Sequence, residues 1–198
     1  MRYIPKKMIK KSRFNNHVKT LAEAEYNKTI SNIERLIDEN KEYTDKQNFG
    51  YLCNLFTSLA LVWMYMDEGK SKEESQNIVF NAMYDFLKPQ IPKMKRLAKH
   101  KWFVPILKKT MLSKFKRTCG YGWKITYPDE PKNRFSMITH SCIFAQIFTK
   151  YNMSEMTKGF CIVDNLMYDN LPKTKFSYTQ RIGEGGGVCD YTFERVSK

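Results

Sequence analysis

The 198-residue sequence has few of the patterns that mark secretion, membrane insertion or repetition. Its basic N-terminus is followed by polar residues 15–17 rather than by an apolar stretch, which excludes a secretory signal. The most apolar run, residues 51–66, contains three polar residues and is shorter than the about 20 residues that a bilayer span needs. No internal repeat and no low-complexity segment occur. We therefore expect a cytoplasmic protein with no membrane association.

Cysteine is sparse, and its spacing shows no pairing. The chain has an odd number of cysteines and no Cys-x-x-Cys pair, the five being Cys53, Cys119, Cys142, Cys161 and Cys189. This pattern argues against a disulfide scaffold. The ordinary interpretation of each free cysteine is a small buried hydrophobic residue.

Acidic residues are missing from two segments, residues 1–19 and 88–117, which together hold 18 of the 34 Lys and Arg residues. The remainder carries 16 basic and 20 acidic residues, so the net charge of +14 is local. Lys outnumbers Arg 26 to 8, whereas base readout and bidentate phosphate binding favour Arg. We interpret the segments first as solvated surface, then as a means of steering a small anionic substrate. Nucleic acid ranks third.

Apolar periodicity predicts helices first and strands afterwards. The predicted helices cover residues 20–39, 45–66 and 71–87, followed by two short basic helices near 92–100 and after Pro105. Strands are predicted over 123–127, 134–140, 174–182 and 188–195, with helices over 142–151 and 154–168 between them. The expected fold class is α+β, not the βαβ alternation of a dinucleotide-binding fold. We expect a single domain, 1–198, with a helical N-terminal part (1–118) and an α+β part (119–198) built on a roughly four-stranded, mainly antiparallel sheet.

Three cysteines of the C-terminal part lie at or near element boundaries, beside polar residues that could support catalysis. Cysteines are candidate nucleophiles, carboxylates are candidate acid–base or orienting groups, and a nearby His could lower a thiol pKa. Glycine N–H groups can hold a carboxylate or a developing oxyanion, and Arg can bind a carboxylate bidentately. The catalytic candidates are Cys142, Cys161, Asp164, Cys189, Asp190 and His140, and the substrate-binding candidates are Arg181, Gly185, Gly186 and Gly187.

Four sequence blocks carry a resemblance to a known family. They are FSMITHSC at residues 135–142, FCIVD at 160–164, FSYTQR at 176–181 and GGVCDYTF at 186–193. Their order and spacing resemble the L-2-amino-thiazoline-4-carboxylic acid hydrolase family, which shows a Cys after a strand, a Cys-x-x-Asp and a closing glycine-rich turn into Cys-Asp-aromatic-x-Phe. The resemblance covers about residues 120–195. Tyr191 is a departure, because Phe is more usual there.

The resemblance implies hydrolysis of a small C–N/C–S heterocycle such as L-2-amino-thiazoline-4-carboxylate, with ring opening towards carbamoyl-cysteine. An alternative is a non-catalytic small-molecule binding or redox-sensing domain. The sequence requires no cofactor, yet the Cys, Asp and His residues leave open a divalent metal that generates hydroxide. The expected partner is a small anionic substrate. The sequence leaves open whether the protein forms a homo-oligomer.

Overall fold

A computed structural model describes residues 3–196 of the chain and divides it into two compact units. The first unit contains the residues up to Phe86 and the segment Thr118–Tyr121. The second contains Leu87–Arg117 and the residues from Gly122 onwards, so the basic helices group with the sheet. The expectation of a single domain with a helical part ending at residue 118 stays a prediction.

Helices build the first unit. They are α1 (Pro5–Lys11), α2 (Asn15–Val18), α3 (Glu23–Glu39), α4 (Phe49–Asp67) and α5 (Lys72–Leu87), with a 3₁₀ turn at Lys41–Tyr43. The helices predicted over 20–39, 45–66 and 71–87 correspond to α3, α4 and α5. The sequence did not predict α1 or α2, because helices of seven and four residues are too short to produce a periodic apolar pattern.

Local hydrogen bonds set where α4 and α5 begin. A capping box opens α5, since Glu74 Oε2 accepts from the Ser71 N–H at 2.9 Å and Ser71 Oγ accepts from the Glu74 N–H at 3.2 Å. The helix predicted from residue 45 begins four residues later, at Phe49, so Asp45 does not cap it directly. The Asp45 carboxylate instead accepts from the N–H groups of Asn48 and Tyr121, at 2.7 and 2.8 Å.

α4 supplies most of the core of the first unit. Its side chains are buried on nearly every side, and Leu52, Leu55, Phe56 and Leu59 are among those with no exposed surface. By length and composition, α4 is also the one helix in the described part of the chain that could cross a membrane, but most of it is buried inside the protein. The burial matches the predicted core helix.

The second unit combines four further helices with a sheet. Its helices are α6 (Ile91–Ala98), α7 (Phe103–Thr118), α8 (Ile143–Lys150) and α9 (Glu155–Tyr168). Its strands are β1 (Lys124–Thr126), β2 (Arg134–Ser141), β3 (Thr174–Ser177) and β4 (Cys189–Arg195), in the order β1-β2-β4-β3, with every neighbouring pair antiparallel. The predicted α+β class and four-stranded antiparallel sheet are confirmed.

Strand alternation sends every second side chain of the sheet into the core. Cys189, Tyr191 and Phe193 of β4 are buried, and they pair with Thr139, Met137 and Phe135 of β2, which are also buried. Asp190 pairs with Ile138 and therefore lies on the opposite face. Two neighbours in sequence, Cys189 and Asp190, are thus separated by the thickness of the sheet.

β3 ends at Ser177, although the predicted strand reached residue 182. The N–H groups of Thr179 and Gln180 donate to the Asp190 carboxylate, at 2.8 and 2.9 Å, rather than continuing the strand ladder. The chain then forms a 3₁₀ turn at Ile182–Glu184 and leaves it through Gly185, whose φ of 87° lies in the left-handed region that favours glycine. This turn brings residues 181–184 against α9.

Candidate functional site

Three different elements of the second unit deliver the three C-terminal cysteines. Cys142 is the residue before α8, Cys161 lies within α9, and Cys189 is the first residue of β4. The two helices are joined by aromatic packing, because the Phe160 ring lies 4.9 Å from that of Phe144 and 5.4 Å from that of Phe148. This packing joins α8, which directly follows Cys142, to α9, which carries Cys161.

Cys189 has the environment of a stabilised thiolate. A hydrogen bond with the Cys161 side chain, opposed by burial and reinforced by the Ile182 N–H, lowers the pKa of Cys189 to about 7. The Ile182 nitrogen lies 3.3 Å from Cys189 Sγ, and the Tyr191 side chain adds a weaker hydrogen bond that also lowers this pKa. The donors around its sulfur therefore favour the thiolate form of Cys189, which is the reactive form of a cysteine.

Cys161 is the protonated member of the pair. Its hydrogen bond with Cys189 and its burial raise the pKa of the Cys161 thiol far above the ordinary range. The Cys161 S–H thus donates to the Cys189 sulfur. The pair places a nucleophile and a proton donor in direct contact.

Gly183 allows the 3₁₀ turn to approach this pair closely. A side-chain carbon added at Gly183 would lie 2.9 Å from Cys161 Sγ and 2.9 Å from the backbone nitrogen of Lys158. Any larger residue would therefore push the turn away from α9. The turn also carries the Ile182 N–H that faces Cys189, so the missing side chain at position 183 helps to set the geometry of both sulfurs.

Cys142 has the environment of an un-ionised thiol. Burial raises the pKa of Cys142 to about 11, although the backbone N–H groups of Ala145 and Phe144 in the first turn of α8 act in the opposite direction. The negative charge of Asp164 raises the pKa of Cys142, Cys161 and Cys189. The charge of Asp164 therefore disfavours ionisation of all three thiols. Of the three, Cys189 is the one whose pKa is lowered.

Arg181 is a buried cation near Tyr191, whose side chain hydrogen-bonds Cys189. Only 1% of the residue is exposed, and its guanidinium carbon lies 3.5 Å from the centre of the Tyr178 ring and 5.3 Å from that of Tyr191. Its Nη1 donates to Asn165 Oδ1 and lies 3.7 Å from Glu184 Oε1. Arg181 directly precedes the turn that faces the cysteines.

Two donor groups of Arg181 have no partner in the described part of the chain. Nε and Nη2 are buried, and neither makes a hydrogen bond within residues 3–196. An unpaired buried donor on a charged group is costly. The arrangement is suited to an anion with two acceptor oxygens, which is the geometry that a carboxylate presents to a guanidinium.

The structure does not bring Asp190 or His140 to the cysteine pair. Hydrogen bonds from the Thr179 hydroxyl and from the N–H groups of Gln180 and Thr179 outweigh burial and lower the pKa of Asp190, which they hold on the outer face of the sheet. His140 is exposed, and its Nε2 lies 2.9 Å from Thr126 Oγ1. His140 lies two residues before Cys142, whose backbone is also extended, but its imidazole contacts Thr126 rather than the cysteine pair.

The three candidate glycines use their N–H groups inside their own loop. The N–H of Gly185 donates to the Ile182 carbonyl at 3.2 Å, and that of Gly186 donates to the Arg181 carbonyl at 2.8 Å. The N–H of Gly187 donates to Gln180 Oε1 at 3.0 Å. These bonds fix the shape of the loop that follows Arg181. The expected anion-binding role of the three glycines stays a prediction.

Sequence reasoning missed several residues of this site. Tyr178 and Asn165 bind Arg181, and the Ile182–Gly183 backbone contacts both sulfurs, yet only Tyr178 lies inside one of the four resemblance blocks, where no role was assigned to it. The one available signal was Gly183, an isolated glycine two residues before the glycine run. Among residues 3–196, no group of three or more His, Cys, Asp or Glu side chains is arranged to hold a metal ion.

Comparison with known proteins identifies the family. No curated protein matches the chain. Two solved structures of an H-NOX protein from K. algicida, both Fe(II) unliganded and one a substituted variant, cover 86% of this chain and 96% of their own. Their identities of 11% and 12% and TM-scores of 0.28 (variant) and 0.26 carry no argument about this fold. A family match, in contrast, spans residues 53–193, which include all three site cysteines and Arg181. The chain therefore belongs to the L-2-amino-thiazoline-4-carboxylic acid hydrolase family.

Proposed function

We propose that this protein hydrolyses a small carboxylated heterocycle in which one carbon lies between nitrogen and sulfur. L-2-amino-thiazoline-4-carboxylate, opened towards carbamoyl-cysteine, is the substrate that the family suggests. The observation that carries the proposal is the hydrogen bond between Cys161 and Cys189, with the Ile182 N–H 3.3 Å from the Cys189 sulfur and the buried guanidinium of Arg181 in the same unit. Family membership by itself supports the coarser statement that the protein is a hydrolase.

In the first step, the Cys189 thiolate attacks the ring carbon between nitrogen and sulfur. The carbon–sulfur bond of the ring breaks, and the departing ring sulfur takes the proton of Cys161. The enzyme then holds an isothiourea through Cys189, and the substrate has gained a free thiol. The S–H of Cys161 is in contact with Cys189, so the proton starts beside the reacting centre.

In the second step, water attacks the same carbon. One of its protons returns to the Cys161 thiolate and the other goes to the imino nitrogen. The bond to Cys189 then breaks, and carbamoyl-cysteine leaves with both nitrogens retained. One water is consumed, and both sulfurs of the pair recover their starting states. Asp164 supports the first step, because its negative charge favours the protonated and more electrophilic form of the basic ring.

Arg181 binds the substrate carboxylate in this proposal. Its Nε and Nη2, which have no hydrogen-bond partner among residues 3–196, would donate to the two carboxylate oxygens. The Tyr178 ring and Asn165 Oδ1 hold the guanidinium plane in place before substrate arrives. Because the guanidinium is already held in place, binding of the carboxylate orients the ring without any rearrangement of Arg181.

The test of Arg181 compares two substrates in a thiol-release assay. We expect Arg181→Lys to lower kcat/KM for L-2-amino-thiazoline-4-carboxylate by about tenfold to hundredfold, because a bidentate charged contact is replaced by a single one. With 2-amino-thiazoline, which lacks the carboxylate, the variant and the wild type should differ by less than about threefold. An equal loss on both substrates would contradict the carboxylate contact, and thermal unfolding of both proteins controls for misfolding.

The same assay separates hydrolysis from the other functions that the sequence left open. Thiol release should be accompanied by a product whose mass equals substrate plus water, and it should be measured with metal analysis before and after chelation. Turnover that disappears on chelation and returns with added metal would replace the thiolate mechanism by a metal-dependent one. Absence of turnover together with thermal stabilisation by the same compound would indicate a binding domain.

A further inference from the structure

The surface of α6 and α7 combines a high positive charge with exposed apolar side chains. Eleven Lys and Arg residues and no acidic residue occur between Lys88 and Arg117, and nine of the eleven are Lys. Exposed lysines flank the junction of the two helices, among them Lys93, Lys95, Lys99, Lys101 and Lys109. We call residues 93–109, which contain this junction, the basic corner.

Three large apolar side chains project from the basic corner. Leu97 is 42% exposed, Trp102 is 41% exposed and Ile106 is 48% exposed. The Ile106 N–H donates to the Trp102 carbonyl at 3.0 Å, so these two residues are one helical turn apart and lie on the same side. The Trp102 ring is stacked on His100, with ring centres 4.9 Å apart and an angle of 5° between the planes.

The basic corner is held firmly to the sheet. Its buried side contributes Ala98, Phe103, Val104 and Leu107 to the core that the sheet residues form. Arg195 of β4 donates from Nη1 to the carbonyls of Ala98 and His100, at 3.0 and 3.3 Å, and from Nη2 to that of Lys99 at 3.3 Å. The apolar side chains on the outer side are therefore presented by a fixed backbone and cannot turn inward.

We propose that the basic corner binds the surface of an anionic lipid bilayer, with Leu97, Trp102 and Ile106 inserted below the headgroups. Surface helices that lie on membranes carry Lys on one face and Trp or Leu on another. Tryptophan favours the membrane interface, and long Lys side chains can keep their ammonium groups at the headgroups while their methylene stems cover apolar surface. Peripheral binding of this kind needs no spanning segment, and it departs from the expectation of no membrane association drawn from the sequence.

The side chains of the basic corner favour lipid over nucleic acid. Leu97 and Ile106 have no ring on which a base could stack, and His100 already covers one face of the Trp102 ring. The charge comes almost entirely from Lys. A Lys ammonium is a point charge, which suits a diffuse anionic surface, whereas the planar guanidinium of Arg binds a single phosphate bidentately. Nucleic acid binding is therefore the competing outcome of the test.

The experiment measures co-sedimentation of the full chain with vesicles of phosphatidylcholine alone or with about 30% phosphatidylserine, an anionic lipid of the kind that attracts basic segments. We expect binding to the anionic vesicles only, with a blue shift of tryptophan emission that Trp102→Phe largely removes. The double variant Trp102→Ser/Ile106→Ser should bind at least about tenfold more weakly. Lys99→Gln/Lys101→Gln should bind more than about tenfold more weakly.

Ile4→Ser is the matched control, because Ile4 is 43% exposed and lies outside the basic corner. It should bind vesicles as the wild type does, and all variants should share its far-ultraviolet circular dichroism. The proposal is overturned if the wild type ignores anionic vesicles or if Trp102→Ser/Ile106→Ser binds as tightly as Ile4→Ser. It is also overturned if single-stranded RNA displaces the vesicles at a lower nucleotide-phosphate concentration than that of the anionic lipid.

Discussion

Cys53 and Cys189 are both buried cysteines, yet the two units of the molecule give them opposite chemistry. Burial within α4 of the first unit raises the pKa of Cys53 to about 12, so this thiol stays protonated. In the second unit, hydrogen bonds from Cys161 and from the Ile182 N–H overcome burial and lower the pKa of Cys189 to about 7. Burial alone makes a cysteine inert, whereas burial with aligned donors makes it reactive.

The largest expected effect is the loss of turnover when the reactive sulfur is removed. Cys189→Ser should lower kcat/KM for the thiazoline substrate by at least about a thousandfold, because a neutral hydroxyl replaces the thiolate. Cys53→Ser should change kcat/KM by less than about twofold, while lowering the free energy of unfolding by about 1–3 kcal/mol through a buried hydroxyl. Equal turnover by the two variants would remove the chemical distinction between the two cysteines.

A second comparison concerns two glycines, one in each unit. Gly183→Ala should lower kcat/KM by about a hundredfold, because the added carbon would lie 2.9 Å from Cys161 Sγ and displace the turn that carries the Ile182 N–H. It should also raise the pKa of Cys189, measured as the midpoint of its alkylation rate against pH. Gly50→Ala is the control, since nothing lies within 4 Å of the added carbon in α4, and it should stabilise the fold by about 0.5–1 kcal/mol. Unchanged alkylation of Gly183→Ala would show that the turn does not control Cys189.

The smallest expected effect is on the pH dependence of stability, and it has opposite signs at the two cysteines. The lowered pKa of Cys189 stabilises the fold above the pKa of a free thiol, and this contribution disappears as the pH falls through about 7. The raised pKa of Cys53 stabilises the fold below the free-thiol pKa, and this is lost as the pH approaches about 12.

Urea unfolding at several pH values measures both contributions. The difference in unfolding free energy between the wild type and Cys189→Ser should grow as the pH rises from about 6 to about 9, following the ionisation of the thiol. The difference between the wild type and Cys53→Ser should stay constant up to about pH 8 and shrink above it, because the thiol then ionises in the unfolded chain but not in the folded one. A flat result for Cys189→Ser would place the Cys189 pKa near its ordinary value.

Prediction from sequence worked where a signal is local. The capping box at Ser71, the apolar periodicity of α3 and α4, and the alternation along β2 and β4 each depend on neighbours within a few residues. The short α1 and α2 and the early end of β3 were not predicted. The end of β3 depends on the Asp190 carboxylate, which lies eleven residues after Thr179 and competes with the strand ladder for backbone N–H groups.

For the site, the sequence identified the reactive residue types but not their grouping. It named Cys142, Cys161, Asp164, Cys189 and Arg181, which share one unit, together with Asp190 and His140, which face elsewhere. Adjacent strand residues point to opposite faces, so Cys189 and Asp190 could not both line one site from β4. A motif defined by residue order does not show on which face of the sheet each residue lies.

The sequence by itself determined the α+β layout, the family and the candidate cysteines, because these depend on local periodicity and on the order of motifs. Only the tertiary structure decided which cysteine ionises, which arginine donors lack a partner, and which apolar side chains remain outside. Those properties depend on contacts between elements far apart in the chain: α9 against the Ile182–Glu184 turn, Asn165 against Arg181, and Arg195 against the end of α6. Hydrogen bonding and desolvation act through space, so residue order does not reveal them.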